Sequence, residues 1–196
     1  MNFQAPRIPI TTERLHLRKF VASDFEGYAA YRSRADVYRY LYAAPSSGAA
    51  LEEKFARLLE APFESDGDSF RLAVTRAEDG VLIGDVMLKL ANKAALQAEV
   101  GYVFHPDYAG RGYATEAVAA IITTGFETFG FHRIFARLDS RNAGSVGVVE
   151  RLGLRREAHL VENDRFDGKW GDEYVYAVLA REWRTKRLDN LSQPGA

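Results

Sequence analysis

The segment that most constrains this chain is His105-Pro106-Asp107-Tyr108-Ala109-Gly110-Arg111-Gly112-Tyr113-Ala114-Thr115-Glu116-Ala117, where hydrophobic spacing changes from strand-like to helical. Ala98 to Phe104 reads as a strand, whereas Ala114, Ala117, Val118, Ile121, Ile122 and Phe126 form an apolar stripe with a period near 3.6, on a helix that should end near Gly130. A two-glycine turn between a strand and a helix has the chemistry of a phosphate cradle. Uncapped N–H groups and the positive end of the helix dipole attract an anion, and glycine lets it approach the backbone with no Cβ in the way.

Composition narrows the ligands such a cradle could serve. At 196 residues and 47% apolar content, the chain suits one domain with a real core. It has no cysteine, which removes disulfides, thiolate nucleophiles and cysteine metal sites, and its four histidines show no H-x-x-x-H spacing. No metal is expected. A formal net charge of −1 gives no global field for nucleic acid or an anionic membrane. Apolar runs such as Val118 to Ile122 are too short to span a bilayer and no basic-then-apolar leader is visible, so a cytoplasmic protein is expected. A small or peptidic substrate fits this composition.

Along the chain, Thr12 to Phe20 alternates as a half-buried strand. Ser23-Asp24 caps a helix to about Arg34, and Ser46-Ser47 opens another carrying Leu51, Phe55, Leu58 and Leu59. Glu78-Asp79-Gly80 joins strands Ser69 to Arg76 and Val81 to Leu90; a turn at Asn92 to Ala95 leads into a third, Ala98 to Phe104. Gly101 inside that strand marks a bulge or a close approach. Arg133 to Asp139 is a strand, followed by a helix opened at Asn142-Ala143-Gly144-Ser145 that carries Val146, Val149 and Leu152 and stops at Gly153. Leu154 to Val161 and Glu173 to Leu179 are two further strands around a polar loop. The domain spans 10–184, closed by Arg181-Glu182-Trp183, and residues 187–196 are expected to fray.

Three ligands compete for the glycine turn. A P-loop falls away because no Gly-Lys-Ser/Thr follows. A dinucleotide site is compatible with Gly110-x-Gly112-x-x-Thr115 followed by Asp139 as a ribose acid, but the third glycine is Thr115 and the preceding strand belongs to an antiparallel meander. The turn could also simply start a helix.

The register Ala109-Gly110-Arg111-Gly112-Tyr113-Ala114 resembles the Q/R-x-x-G-x-G/A pyrophosphate motif of the GNAT superfamily of acyl-CoA-dependent N-acetyltransferases, with Ala109 where Gln or Arg is usual. Further segments resemble its RimJ/RimL-like branch in the same order: Thr12-Glu13-Arg14-Leu15-His16-Leu17-Arg18, Gly84, Glu99 to Val103, His105-Pro106, Tyr113 to Ala117, Asn142 to Ser145, Glu150 to Gly153, and Gly168 to Asp172. The resemblance implies an α+β fold with a mixed, mostly antiparallel sheet of about seven strands flanked by helices. It implies acetyl-CoA as cosubstrate and an amine acceptor, either a protein N-terminus or a small molecule, for a monomer or homodimer. A CoA-binding sensor without turnover is the non-enzymatic alternative.

The same resemblance assigns roles. The pantetheine arm would lie along Tyr102, Val103 and Phe104, with Gly101 allowing the splay that admits the thioester, and backbone N–H groups would hold the developing oxyanion. Gly110, Arg111, Gly112, Tyr113, Ala114 and Thr115 would hold the pyrophosphate. Asn142 would bond the pantetheine amide and Ser145 would protonate the leaving thiolate, although both residue types also cap helices. Glu99 and Asp164 are the base candidates, and Glu162 could share that task. Arg151, Arg155 and Arg156 either meet the 3′-phosphate or form a solvated face, while Trp170, Tyr174 and Tyr176 either line an acceptor groove or pack in the core. Glu162, Asp164, Asp167 and Asp172 would suit a cationic amine.

Overall fold

The computed structural model describes Phe3 and residues 6–191, with side chains through Lys186. Eight strands form one sheet: β1 (Ile10–Thr11), β2 (Leu15–Arg18), β3 (Ser69–Arg76), β4 (Leu82–Asn92), β5 (Gln97–Phe104), β6 (Arg133–Asp139), β7 (Arg155–Phe166) and β8 (Lys169–Leu179), in the spatial order β1-β2-β3-β4-β5-β6-β8-β7. Neighbours are antiparallel except β5 and β6, which run parallel and are joined by α4 (Tyr113–Glu127). The other helices are α1 (Phe25–Arg32), α2 (Ala35–Tyr38), α3 (Gly48–Leu59), α5 (Ala143–Arg151) and α6 (Ala180–Leu191). The α+β architecture expected from sequence is present, with eight strands rather than seven because residues 10 and 11 add a short edge. The expected frayed tail falls partly on α6 and partly on residues 192–196, outside the described residues.

The strand period distributes the faces. Leu88 pairs with Val100 and Leu90 with Ala98, and these side chains meet Ala117, Val118, Ile121 and Ile122 of α4 in a fully buried core. Each Leu, Val or Ile among them contributes about 1.5–3 kcal/mol of burial, which fixes the start of α4 relative to β5. On the opposite face Phe20, Tyr28, Tyr31, Leu51 and Phe55 of the α1 and α3 region cover Ala73. Those helices shelter one end of that face, and Arg71, Met87 and Glu99 farther along it are half-buried.

Several boundaries differ from the periodicity reading. The strand expected over Thr12 to Phe20 shrinks to Leu15–Arg18, because residues 12–14 turn to meet α4: Thr12 Oγ1 donates to Glu116 at 2.6 Å and the Arg14 amide does so at 2.9 Å. The first helix stops at Arg32, and Ala35–Tyr38 forms its own short helix. The polar loop expected between the last two strands is instead a continuation of both. β7 and β8 extend to a two-residue turn at Asp167 and Gly168, both left-handed with φ of 49° and 74°, which Asp-Gly adopts readily. Arg181-Glu182-Trp183 begins a helix rather than a terminal stop, burying Trp183 against Phe126. At Gly101 the ladder is unbroken, so the bulge reading fails; a Cβ there would lie 2.6 Å from Met87 Cε, a close approach by a side chain.

Candidate active site

At the start of α4, Gly110 and Gly112 have φ of +75° and +79°, a region that L side chains avoid, so glycine is required at both. Gly112 is the helix N-cap and supplies no side-chain cap, which leaves the first-turn N–H donors directed outward. Arg14 braces the turn: Nη1 donates to the Arg111 carbonyl at 3.0 Å, Nη2 lies 2.6 Å from Glu116 Oε2, and the guanidinium stacks over Tyr113. Burial pushes the Glu116 carboxyl up, but hydrogen bonds from Thr12 and Arg14 outweigh that and hold it below its ordinary value. Arg111 stacks on Tyr108, and Arg151 Nε reaches Thr115 Oγ1 at 3.3 Å; neither guanidinium meets a carboxylate among the described residues. Arg155 does not join them, being paired with Glu157 and Glu182, and Arg156 lies over Tyr174. The three arginines therefore do not form one patch.

Beside this turn the sheet opens. Parallel pairing of β5 with β6 covers Gln97, Ala98 and Glu99, then stops, while β5 stays paired with β4 through Phe104. The β6-facing backbone edge of Gly101 to Val103 thus enters a cleft of about 320 Å³, on the scale of a small-molecule site, whereas Phe104 is not among its lining residues. Glu99, Tyr102, Val103, Asn142 and Ser145 all line it, joined by Asp139, which the sequence offered only as a dinucleotide ribose acid, and by Arg32, Tyr40, Leu41, Arg71, Met87, Arg137 and Leu138, which were assigned no ligand role from sequence. A broader hollow near Glu64 and Lys93 lies at the opposite end of β4 and β5, by the Asn92 turn, away from the phosphate cradle.

Individual side chains close the cleft's walls. Asn142 Oδ1 accepts the Ser145 amide at 3.1 Å, so it is a helix cap, with its amide nitrogen left for other partners. Tyr102 donates to the Ser145 carbonyl at 3.0 Å, bridging the splay between β5 and α5, and burial pushes its phenol up to about 12. Ser145 Oγ and the Glu99 carboxylate make no hydrogen bond among the described residues. Tyr42 donates to Asp139 Oδ2 at 2.7 Å and passes over Gly171, where a side chain would collide with its ring. This pins the segment carrying Tyr40 and Leu41 over the cleft. Asp139 is also gripped by Arg141 at 2.8 Å, so it is not free to bind a ribose.

Two buried charge clusters flank the cleft. Asp85, fully buried, accepts from Tyr31 at 2.8 Å and from Arg32 at 2.6 and 2.7 Å, and also from Arg71 Nη1. Burial pushes its carboxyl up, but the two guanidinium groups outweigh this and hold it below the usual range. On the other side, Arg137 clasps buried Glu173 at 2.6 and 2.8 Å. Burial pushes Glu173 up, Arg137 opposes, and neighbouring Asp164 pushes it up again, leaving it above the ordinary range. Asp164 sits opposite Gly171 on the hairpin, beside Glu173 and outside the cleft lining. Glu162 is exposed in the irregular stretch of β7. Trp170 is exposed under Arg165, and Tyr176 is core; neither is among the residues lining this cleft.

Residues 14–155 match the model of the acetyltransferase (GNAT) domain. The chain belongs to the GNAT family. It is an N-acetyltransferase, and the family uses acetyl-CoA. It is 32% identical over 174 residues, 89% of this chain and 98% of the relative, to the uncharacterized N-acetyltransferase YnaD of Bacillus subtilis. It is 25% identical over 126 residues to the ribosomal protein uS5-alanine N-acetyltransferase of Escherichia coli, covering 64% of this chain and 65% of that one. It is also 25% identical over 171 residues to the spermidine N(1)-acetyltransferase of Vibrio cholerae, covering 87% and 95%. The crystal structure of a GNAT-family acetyltransferase from Bacillus anthracis superposes with a TM-score of 0.79 at 29% identity, over 88% of this chain and 98% of that one.

Proposed function

We propose that this protein transfers an acetyl group directly from acetyl-CoA to a primary amine in the cytoplasm. The observation that carries the reading is the pairing that stops after Glu99, next to an uncapped α4 N-terminus with two left-handed glycines. In this reading the N–H groups of Gly112 to Thr115, with Arg111 and Arg151, hold the pyrophosphate. The free backbone edge of Tyr102 to Phe104 pairs with the pantetheine arm, and its N–H groups stabilise the oxyanion. Asn142 offers its amide nitrogen to the arm, its oxygen being spent on the cap.

Ser145 protonates the departing thiolate through its unengaged hydroxyl. Glu99, half-buried on the cleft wall, takes the ammonium proton directly or through water. Asp164 and Glu162 lie outside the cleft lining, which favours Glu99. No acyl-enzyme forms, since there is no cysteine and Ser145 has no histidine bonded to it. The motif order supports the RimJ/RimL-like branch, with a protein N-terminus or a small amine as acceptor.

The test combines thermal shift with an acceptor screen. Acetyl-CoA at a hundred times its dissociation constant should add about 2.7 kcal/mol of stability. Acetylation should then appear in a screen of small amines and of peptides beginning with Ser, Ala or Thr. Stabilisation by NAD(H) alone, burst kinetics or an acetylated enzyme would overturn the reading.

A further inference from the structure

Among the described residues that line the cleft, the Arg71 guanidinium and the Glu99 carboxylate are left incompletely matched: Glu99 feels the Arg137 charge but makes no hydrogen bond. Arg34, Arg137 and Arg141 each present their Nε and Nη2 edge to a carboxylate, the side-on fork that suits this pair. Arg71 does not. Its Nη1 is shared on Asp85 with Arg32, its Nη2 meets the Met87 sulfur at 2.9 Å, and its Nε is buried with no partner among the described residues. A thioether is a weak acceptor, and Met is readily moved between rotamers. Since Asp85 carries one negative charge against Arg32 and Arg71, this cluster keeps one positive charge uncompensated at the cleft.

Strand register places Arg71, Met87 and Gly101 side by side across β3, β4 and β5, with the Arg71 and Met87 side chains on the face where Gly101 leaves open space. Glu99 stands two residues along β5 on that same face. The Met87 methyl fills the space over Gly101, so it separates the Arg71 fork from the backbone where the acetyl group would lie. Displacing one flexible side chain joins the fork to the reaction site.

We propose that Arg71 is a specificity-determining residue and that the acceptor carries a carboxylate a few bonds from the amine to be acetylated. The carboxylate seats on the Nε and Nη2 edge of Arg71 as Met87 swings aside, while the ammonium faces Glu99. This rests on the acetyl-transfer reading above. Two sources offer this chemistry: a free amino acid, or a peptide whose second residue is acidic.

Acetylation rates of the full chain with acetyl-CoA separate these sources. Amino acids are compared with their carboxamides, and peptides carrying Asp or Glu at the second position with their Asn or Gln counterparts. The carboxylate member of at least one series should exceed its amide at least about tenfold in kcat/KM, mainly through KM. Arg71→Gln should abolish the preference and Arg71→Lys should retain part of it. Arg32 and Tyr31 continue to hold Asp85 in these variants, so folding survives; a calorimetric titration of the preferred acid onto the CoA-loaded protein gives a readout independent of turnover. Equal rates for acids and amides, preference for polyamines, or a preference that survives Arg71→Gln would each overturn the inference while leaving acetyl transfer intact. Acetyl-CoA binding with no amine acetylated would overturn both.

Discussion

Replacing Gly110 with alanine isolates one physical quantity. The residue sits at φ +75°, and a Cβ there would meet nothing within 4 Å, so the substitution adds strain without a clash. Holding an L residue in the left-handed region costs about 1–2 kcal/mol. Either the turn keeps its shape and the folded state bears the cost, or the turn relaxes in the free protein and acetyl-CoA must restore it on binding. The loss in stability plus the loss in binding should therefore total about 1–2 kcal/mol however it is divided. If borne by the fold, melting falls by roughly 2–8 °C for a domain of this size. If borne by the ligand, the dissociation constant rises about 5- to 30-fold. Calorimetric titration with acetyl-CoA and thermal unfolding of the same preparation measure both parts. Gly130→Ala, at φ +69° with nothing within 4 Å and just past the far end of α4, is the control: it carries the same backbone strain and should lower stability while leaving acetyl-CoA affinity unchanged. A combined loss near zero for Gly110→Ala would refute the claim that the cradle depends on this backbone conformation.

Ser145→Ala should reduce kcat on the order of 10²-fold or more while leaving acetyl-CoA affinity unchanged; unaltered turnover would reduce Ser145 to a helix residue. Glu99→Gln should remove or shift the acidic limb of the rate profile, whereas Asp164→Asn should preserve it, and the reverse result would move the base to the hairpin. Asp85→Asn leaves Arg32 and Arg71 facing a neutral group in a buried site and should lower the unfolding free energy by about 3–5 kcal/mol, measured by urea denaturation. Asp24, Asp85 and Glu116 are held below their ordinary values of 3.8, 3.8 and 4.5: burial pushes each up, and arginine partners with other hydrogen bonds outweigh it. The stability they contribute is complete above those ordinary values and is lost as pH falls through the lower folded ones, so the urea midpoint should drop below about pH 4. Glu116→Gln should flatten part of that drop; an unchanged acid profile would show that Glu116 is not ion-paired in solution.

Local chemistry made the two-glycine turn, the meander of β3 to β5 and the stripe of α4 legible, because each is written in residues adjacent in sequence. Gly110 and Gly112 announce their own φ, and the 3.6 spacing of Ala117 to Ile122 announces which face is buried. Thr12 to Arg14 misled because alternation cannot show that Thr12 and the Arg14 backbone are needed by Glu116, more than a hundred residues away. The β7–β8 hairpin was underestimated for a different reason: an edge strand exposed along most of its length lacks the apolar alternation that marks a half-buried strand, although Asp167-Gly168 carried the turn signal.

The charged flanks of the cleft show the limit most clearly. Arg32, Arg71 and Asp85 come from three separate elements, and Arg137 and Glu173 from two strands, so their charges mean nothing until the sheet register sets them side by side. Sequence alone determined the glycine turn and the covered face, since periodicity and glycine conformation are properties of the chain itself, while the class of chemistry came from the resemblance carried by motif order. Tertiary structure alone decided where the sheet parts, which carboxylates are spent on arginines, and which guanidinium remains incompletely matched, because ion pairing and burial depend on distances that only the folded register fixes.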